Sequence, residues 1–127
     1  MPRRIRALET VALVGIGGFA GSNLRYVFGQ VWPALPATIA VNTLGSFLLG
    51  LVIYVSLRTD HLSTETRLLV STGFLSSFTT YSTFALLAAQ RRPTWIVLTV
   101  LGTYGLGFAG VIVGRAVAVR IEAGENR

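Results

Sequence analysis

The 127 residues read as a single all-α membrane domain of four transmembrane helices, and three observations lead there. First, charged residues make up only 13% of the chain and hydrophobic ones 52%, against roughly 25% charged in a soluble domain. Mean hydropathy is +0.64. Second, the charges are confined to the ends of long uncharged stretches. Residues 26–57, 68–90 and 93–114 hold no Asp, Glu, Lys or Arg, and 10–24 is a fourth such stretch, interrupted by Arg25. A membrane-spanning helix takes about 20 mostly apolar residues, which places spans at about 8–28, 37–57, 68–90 and 94–114. Third, the links between these spans are short, as in an up-down bundle of antiparallel helices. The composition excludes disorder, which needs low hydrophobicity and high charge. With no cysteine in the chain, it also excludes disulfides, thiol nucleophiles and Cys-ligated zinc.

The first span opens with Arg3, Arg4 and Arg6 ahead of an apolar run, the order found in a secretory leader. That run is rich in glycine, however, and the segment that follows it is again apolar. Gly17 and Gly21 form a small-xxx-small pair, which lets helices approach closely. Arg25 lies near the end of this span. A charge there either reaches out to the interface or attracts anions at a vestibule.

An uncharged link from Gly29 to Pro36 leads to the second span, where Asn42 is followed by Gly45, Ser46 and Gly50. The Asn42 amide carries two donor hydrogens. It serves either a dehydrated anion or a helix–helix hydrogen bond. Thr38, four residues earlier, shares its face.

The second link, Arg58 to Arg67, is polar and holds the single histidine, His61, which reads as solvated. In the third span, seven of the eight residues from 76 to 83 carry a hydroxyl, and Gly73 precedes them. Hydroxyls compete for backbone hydrogen bonds and bend membrane helices, so a break or kink is expected near 76–79. Non-helical backbone at that depth is tolerated only when buried in protein or lining a cavity. Its freed carbonyls would suit a cation; the other reading is hydroxyl-mediated helix packing. Tyr81 and Phe84, three residues apart, share a face. Their positive ring edges can meet a small anion, or the two rings simply pack.

Arg91, Arg92 and Pro93 make the last turn, and the fourth span carries Gly102, Gly105, Gly107, Gly110 and Gly114. Apart from Glu9 at the very edge of the first span, no Asp, Glu, Lys or His lies inside any of the four spans. General acid–base chemistry needs a positioned titratable group, and a proton relay normally needs a buried carboxylate. An enzyme is therefore not expected.

The net charge of +6 comes from 11 arginines and no lysine. In a soluble protein it would point to nucleic acid; here it reads as an orientation signal. Eight arginines (3, 4, 6, 58, 67, 115, 120 and 127) fall on the side of the termini and three (25, 91 and 92) on the other. This bias predicts a multi-pass protein of the cell membrane with both termini in the cytoplasm and one fixed orientation.

Three stretches together resemble the Fluc (CrcB) family of fluoride channels. They are Gly17-Gly18-Phe19-Ala20-Gly21-Ser22-Asn23-Leu24-Arg25-Tyr26, Asn42-Thr43-Leu44-Gly45-Ser46-Phe47, and the run from Thr72-Gly73-Phe74 to Thr79-Thr80-Tyr81-Ser82-Thr83-Phe84. Their order and the chain length also match the family. The resemblance implies an antiparallel, dual-topology dimer of four-helix subunits with two fluoride pores, exporting fluoride passively from the cytoplasm. It also implies a structural Na+ (sodium) at the dimer centre, held by the backbone carbonyls of Ser76 and Thr79. The implied fluoride pathway comprises Asn42, the aromatic pair Tyr81 and Phe84, and the hydroxyls of Thr38, Ser82 and Thr83. Thr103 is its fourth-helix hydroxyl. Tyr81 stands where the family has Phe, and Ser76 where it has Gly. Combined with the arginine bias, an antiparallel dimer would need a second, oppositely biased subunit. Two other functions suit a chain of this kind: a small proton-coupled multidrug or cation exporter, for which Glu9 is the nearest acid, and a non-transporting membrane assembly subunit.

Overall fold

The computed structural model describes residues 2–58 and 62–125; His61 and Arg127 lie outside them. All regular structure among the described residues is helical. Helix α1 spans Arg3–Val31 and α2 Ala34–Arg58. A short helix α3, Thr64–Arg67, runs into a π-helical stretch, Leu68–Leu75, and then α4, Ser76–Phe78. Helix α5 spans Tyr81–Ala89 and α6 Pro93–Glu125. Among the described residues, three helices are long and apolar enough to cross a membrane: α1, α2 and α6. The stretch expected as a third span, with a break near 76–79, is divided among the π-helical stretch, α4 and α5.

The helix ends differ from those expected. Helix α1 begins at Arg3 and α6 runs on to Glu125. Charge-free stretches mark only the apolar part of a helix, and Arg, Ala and Glu at its ends are strong helix formers that continue it into water. The link expected from Gly29 to Pro36 shrinks to Trp32 and Pro33, because α2 already starts at Ala34. Pro36 falls in the first turn of α2, where its missing N–H costs nothing.

Two backbone-to-backbone seams set the packing. Helix α1 lies along the π-helical stretch and α4, and α2 lies along α6. A side chain on Gly21 would strike the Phe74 carbonyl, and one on Gly114 the Phe47 carbonyl. Only glycine permits either approach. Few large side chains are fully buried inside the subunit; Phe78 and Val41 are the largest. Many others face outward, including Phe19, Phe108 and Ile112. An apolar exterior of this kind is what lipid or a second subunit covers.

Candidate functional site

Between α4 and α5 the chain is extended. Thr79 has φ −80° and ψ 161°, and Thr80 has φ −149° and ψ 123°. An extended pair has no helical ladder, so its peptide groups need other partners. The Thr79 N–H still reaches the Leu75 carbonyl at 3.1 Å, and its hydroxyl donates to the same oxygen at 2.9 Å. The Thr79 carbonyl accepts from Arg25 Nη1 at 3.1 Å. Both backbone groups of Thr80 bond to one side chain. Its N–H donates to Asn42 Oδ1 at 2.8 Å, and its carbonyl accepts from Asn42 Nδ2 at 2.9 Å. This pairing fixes which way the amide points, since an N–H must meet the amide oxygen. The Thr80 hydroxyl then caps α5 by accepting from the Thr83 N–H at 3.3 Å.

A cavity of about 500 Å3 opens beside this segment. Its wall includes Asn42, Ser76, Thr79, Tyr81, Phe84 and Thr103 of the expected site, together with Ser46, Ser71, Thr80 and Tyr104. Among the described residues lining it there is no carboxylate, ammonium, guanidinium or imidazole. Phe84 is buried and meets the Tyr104 ring edge-on, with centroids 6.1 Å apart at 77°. Tyr81 tilts toward Phe84 at 6.1 Å but is 72% exposed. The Thr103 hydroxyl is buried without a hydrogen-bond partner. The second Asn42 Nδ2 hydrogen has no partner among the described residues. The wall therefore offers neutral donors and aromatic edges.

Three of the expected residues stand apart from this wall. Thr38 is buried, with its hydroxyl turned back to the Ala34 carbonyl at 2.8 Å. Ser82 and Thr83, on the first turn of α5, are exposed. Arg25, expected as an interfacial or vestibule charge, is also off this wall and donates to the Thr79 carbonyl. Tyr104 and Ser71 were missed by the sequence reading. The signal for Tyr104 was its place next to Thr103; Ser71 had none, because the π-helical winding changes which face it presents.

For a cation, the described residues offer no cluster of three or more His, Cys, Asp or Glu side chains. Backbone carbonyls are the available ligands. The N–H groups that a continued α-helix would give to Ser76 and Thr79 are those of Thr80 and Thr83. They go instead to Asn42 Oδ1 and Thr80 Oγ1. The donor chemistry at Ser76 and Thr79 thus fits a hard cation, and a cationic group, the Arg25 guanidinium, already sits on the Thr79 oxygen.

Residues 12–115 match the family model described as CrcB-like protein, Camphor Resistance (CrcB). Among curated proteins, the chain is 56% identical over 117 residues to "Fluoride-specific ion channel FluC 1" of Haloarcula marismortui, covering 92% of this chain and 91% of that one. It is 48% identical over 119 residues to "Fluoride-specific ion channel FluC 2" of Halobacterium salinarum, covering 93% and 92%. It is 37% identical over 125 residues to "Fluoride-specific ion channel FluC 3" of Methanosarcina barkeri, covering 91% and 95%.

Proposed function

The chain belongs to the CrcB-like family, and on that premise we propose that it is a fluoride-selective channel through which fluoride leaves the cytoplasm down its electrochemical gradient. The observation that carries this reading is the cavity wall, which combines neutral hydrogen-bond donors with aromatic edges and has no titratable acid or base of the usual kinds. A dehydrating fluoride exchanges water for the free Asn42 hydrogen, the Thr103 hydroxyl and the edges of Phe84 and Tyr81. Neutral donors are each modest in strength, and conduction requires a site that releases the ion as well as binding it. The same wall counts against a proton-coupled exporter, whose relay normally needs a buried carboxylate. Glu9 is exposed on α1, away from the cavity.

The segment 68–90 acts in this reading as a third membrane crossing, broken at Thr79–Thr80 and completing a four-helix subunit. Exposed Tyr81 and the apolar exterior support contact with a second four-helix subunit within the lipid, arranged antiparallel in this reading. The arginine bias supports termini in the cytoplasm and a partner of opposite bias. A structural sodium ion at the carbonyls of Ser76 and Thr79 would supply positive charge where the two broken segments meet. This chain's part is to hold those oxygens free of helical partners, through Asn42 and the Thr80 cap.

Liposome efflux tests the function. Protein reconstituted in vesicles loaded with potassium fluoride should release fluoride, read by a fluoride electrode, while chloride-loaded vesicles stay sealed. Absent fluoride efflux, or chloride efflux as fast, would overturn the reading.

A further inference from the structure

A second cavity lies at the other end of the π-helical stretch, where α2 finishes and α3 begins. It measures about 320 Å3, and its polar wall consists of Ser56, Thr64, Arg67, Ser71 and Thr72. Among the described residues its wall carries four hydroxyls and one guanidinium and no carboxylate. The acid on α3, Glu65, is not part of the wall. Its carboxyl is held below the ordinary value of 4.5 by the backbone N–H of its own residue and by the Ser63 hydroxyl, so it is engaged at the helix cap. The Ser56 hydroxyl is buried with no hydrogen-bond partner. Serine in a helix ordinarily satisfies itself on the preceding turn, so a buried hydroxyl left free beside a cavity is a donor awaiting a ligand.

This cavity shares one wall residue with the site already described. Ser71 lines both the 320 Å3 cavity and the central one of about 500 Å3. Its carbonyl accepts from the Ser76 N–H, the i to i+5 bond that defines the π-turn. Wide turns of this kind recur at functional sites. Here the turn sets one residue between two chambers.

We propose that the Arg67 cavity is an anion-staging site, which collects a small, hard, hydrated monovalent anion at the end of the subunit bearing the second link and hands it past Ser71 to the central cavity. The inference rests on the channel reading and names where the ion enters. Arg67 raises the local anion concentration. The hydroxyls of Ser56, Thr64 and Thr72 replace part of the hydration shell before the ion meets the neutral wall beyond. Arg67 is exposed, so its charge remains in contact with water and attracts the ion without trapping it.

Planar-bilayer recordings across a range of sodium fluoride concentrations test the site, with Arg67→Gln, Arg67→Lys and Ser56→Ala compared with wild type. At low ionic strength Arg67→Gln should raise the half-saturating fluoride concentration about tenfold and leave the limiting conductance in place. Arg67→Lys should stay near wild type. Raising an inert impermeant salt to about 1 M, where the screening length is about 3 Å, should abolish the Arg67→Gln difference. Ser56→Ala should raise half-saturation at both ionic strengths, because it removes a donor and not a charge. If Ser56 is only a packing residue, its removal stabilises the helix and leaves half-saturation unchanged. Wild-type concentration dependence in both Arg67→Gln and Ser56→Ala, with wild type conducting, would overturn the staging site alone. A wild-type protein that carries no fluoride current would overturn the channel reading and the site with it.

Discussion

At Thr80 one side chain does the work of a neighbouring strand. Asn42 accepts from the Thr80 N–H and donates to its carbonyl, at 2.8 and 2.9 Å, and so holds an extended peptide inside a helical protein. Replacing it with Ala leaves two part-buried backbone groups unpaired. Each unsatisfied group costs about 1–3 kcal/mol, so Asn42→Ala should lower the stability of the subunit by at least about 2 kcal/mol, read as a fall in Tm in detergent, and fluoride flux should be lost with it. Tyr81 makes the opposite case. Its side chain is 72% exposed and its hydroxyl bonds to nothing among the described residues. Tyr81→Phe should leave the stability within about 0.5 kcal/mol of wild type and keep fluoride efflux at or above the wild-type rate. A slower variant would show that the hydroxyl touches the ion. Of these residues, the sequence displays Asn42 and Tyr81 as candidates but conceals their roles. Asn42 and Thr80 are 38 positions apart, and no periodicity within one helix reports a bond across that distance. Arg25 is similar: position alone leaves it between interface and vestibule, and only the fold brings it to Thr79.

The glycines separate by partner at the level of the helices. On α6, Gly110 and Gly114 lie against the α2 backbone, near the carbonyls of Thr43 and Phe47, whereas Gly102 and Gly105 have nothing within 4 Å. One small-residue stripe thus serves two faces, which the sequence pattern alone could not divide. Gly114→Ala should push α2 and α6 apart at a cost of about 1–3 kcal/mol, measured by thermal unfolding. Gly102→Ala should leave unfolding unchanged. Equal losses at both positions would contradict the assignment of the seam. The helices themselves were readable at their centres, because uncharged stretches report what is buried in lipid. Their ends were not, because helix propensity carries α1 and α6 beyond the apolar region. The hydroxyl run from Ser76 to Thr83 pointed to irregular backbone near 76–79. The extended residues are Thr79 and Thr80, and the π-helical winding before them had no counterpart in the pattern of residue types.

For the whole molecule, the small interior and the apolar exterior have one consequence. A single subunit presents exposed Tyr81 and many exposed apolar side chains of α6 to its surroundings, and Tyr81 also lines the central cavity. On the proposed reading, a second subunit would cover this face. The arginine excess, which would suggest nucleic acid in a soluble protein, bears in the proposed reading on orientation and, at Arg67, on anion entry. The central claim is selective conduction of fluoride, and the reversal potential tests it most directly. With sodium fluoride on one side of a bilayer and sodium chloride on the other, the expected potential is large and of the sign set by fluoride alone. A potential near zero, meaning that chloride passes as readily, would contradict the account.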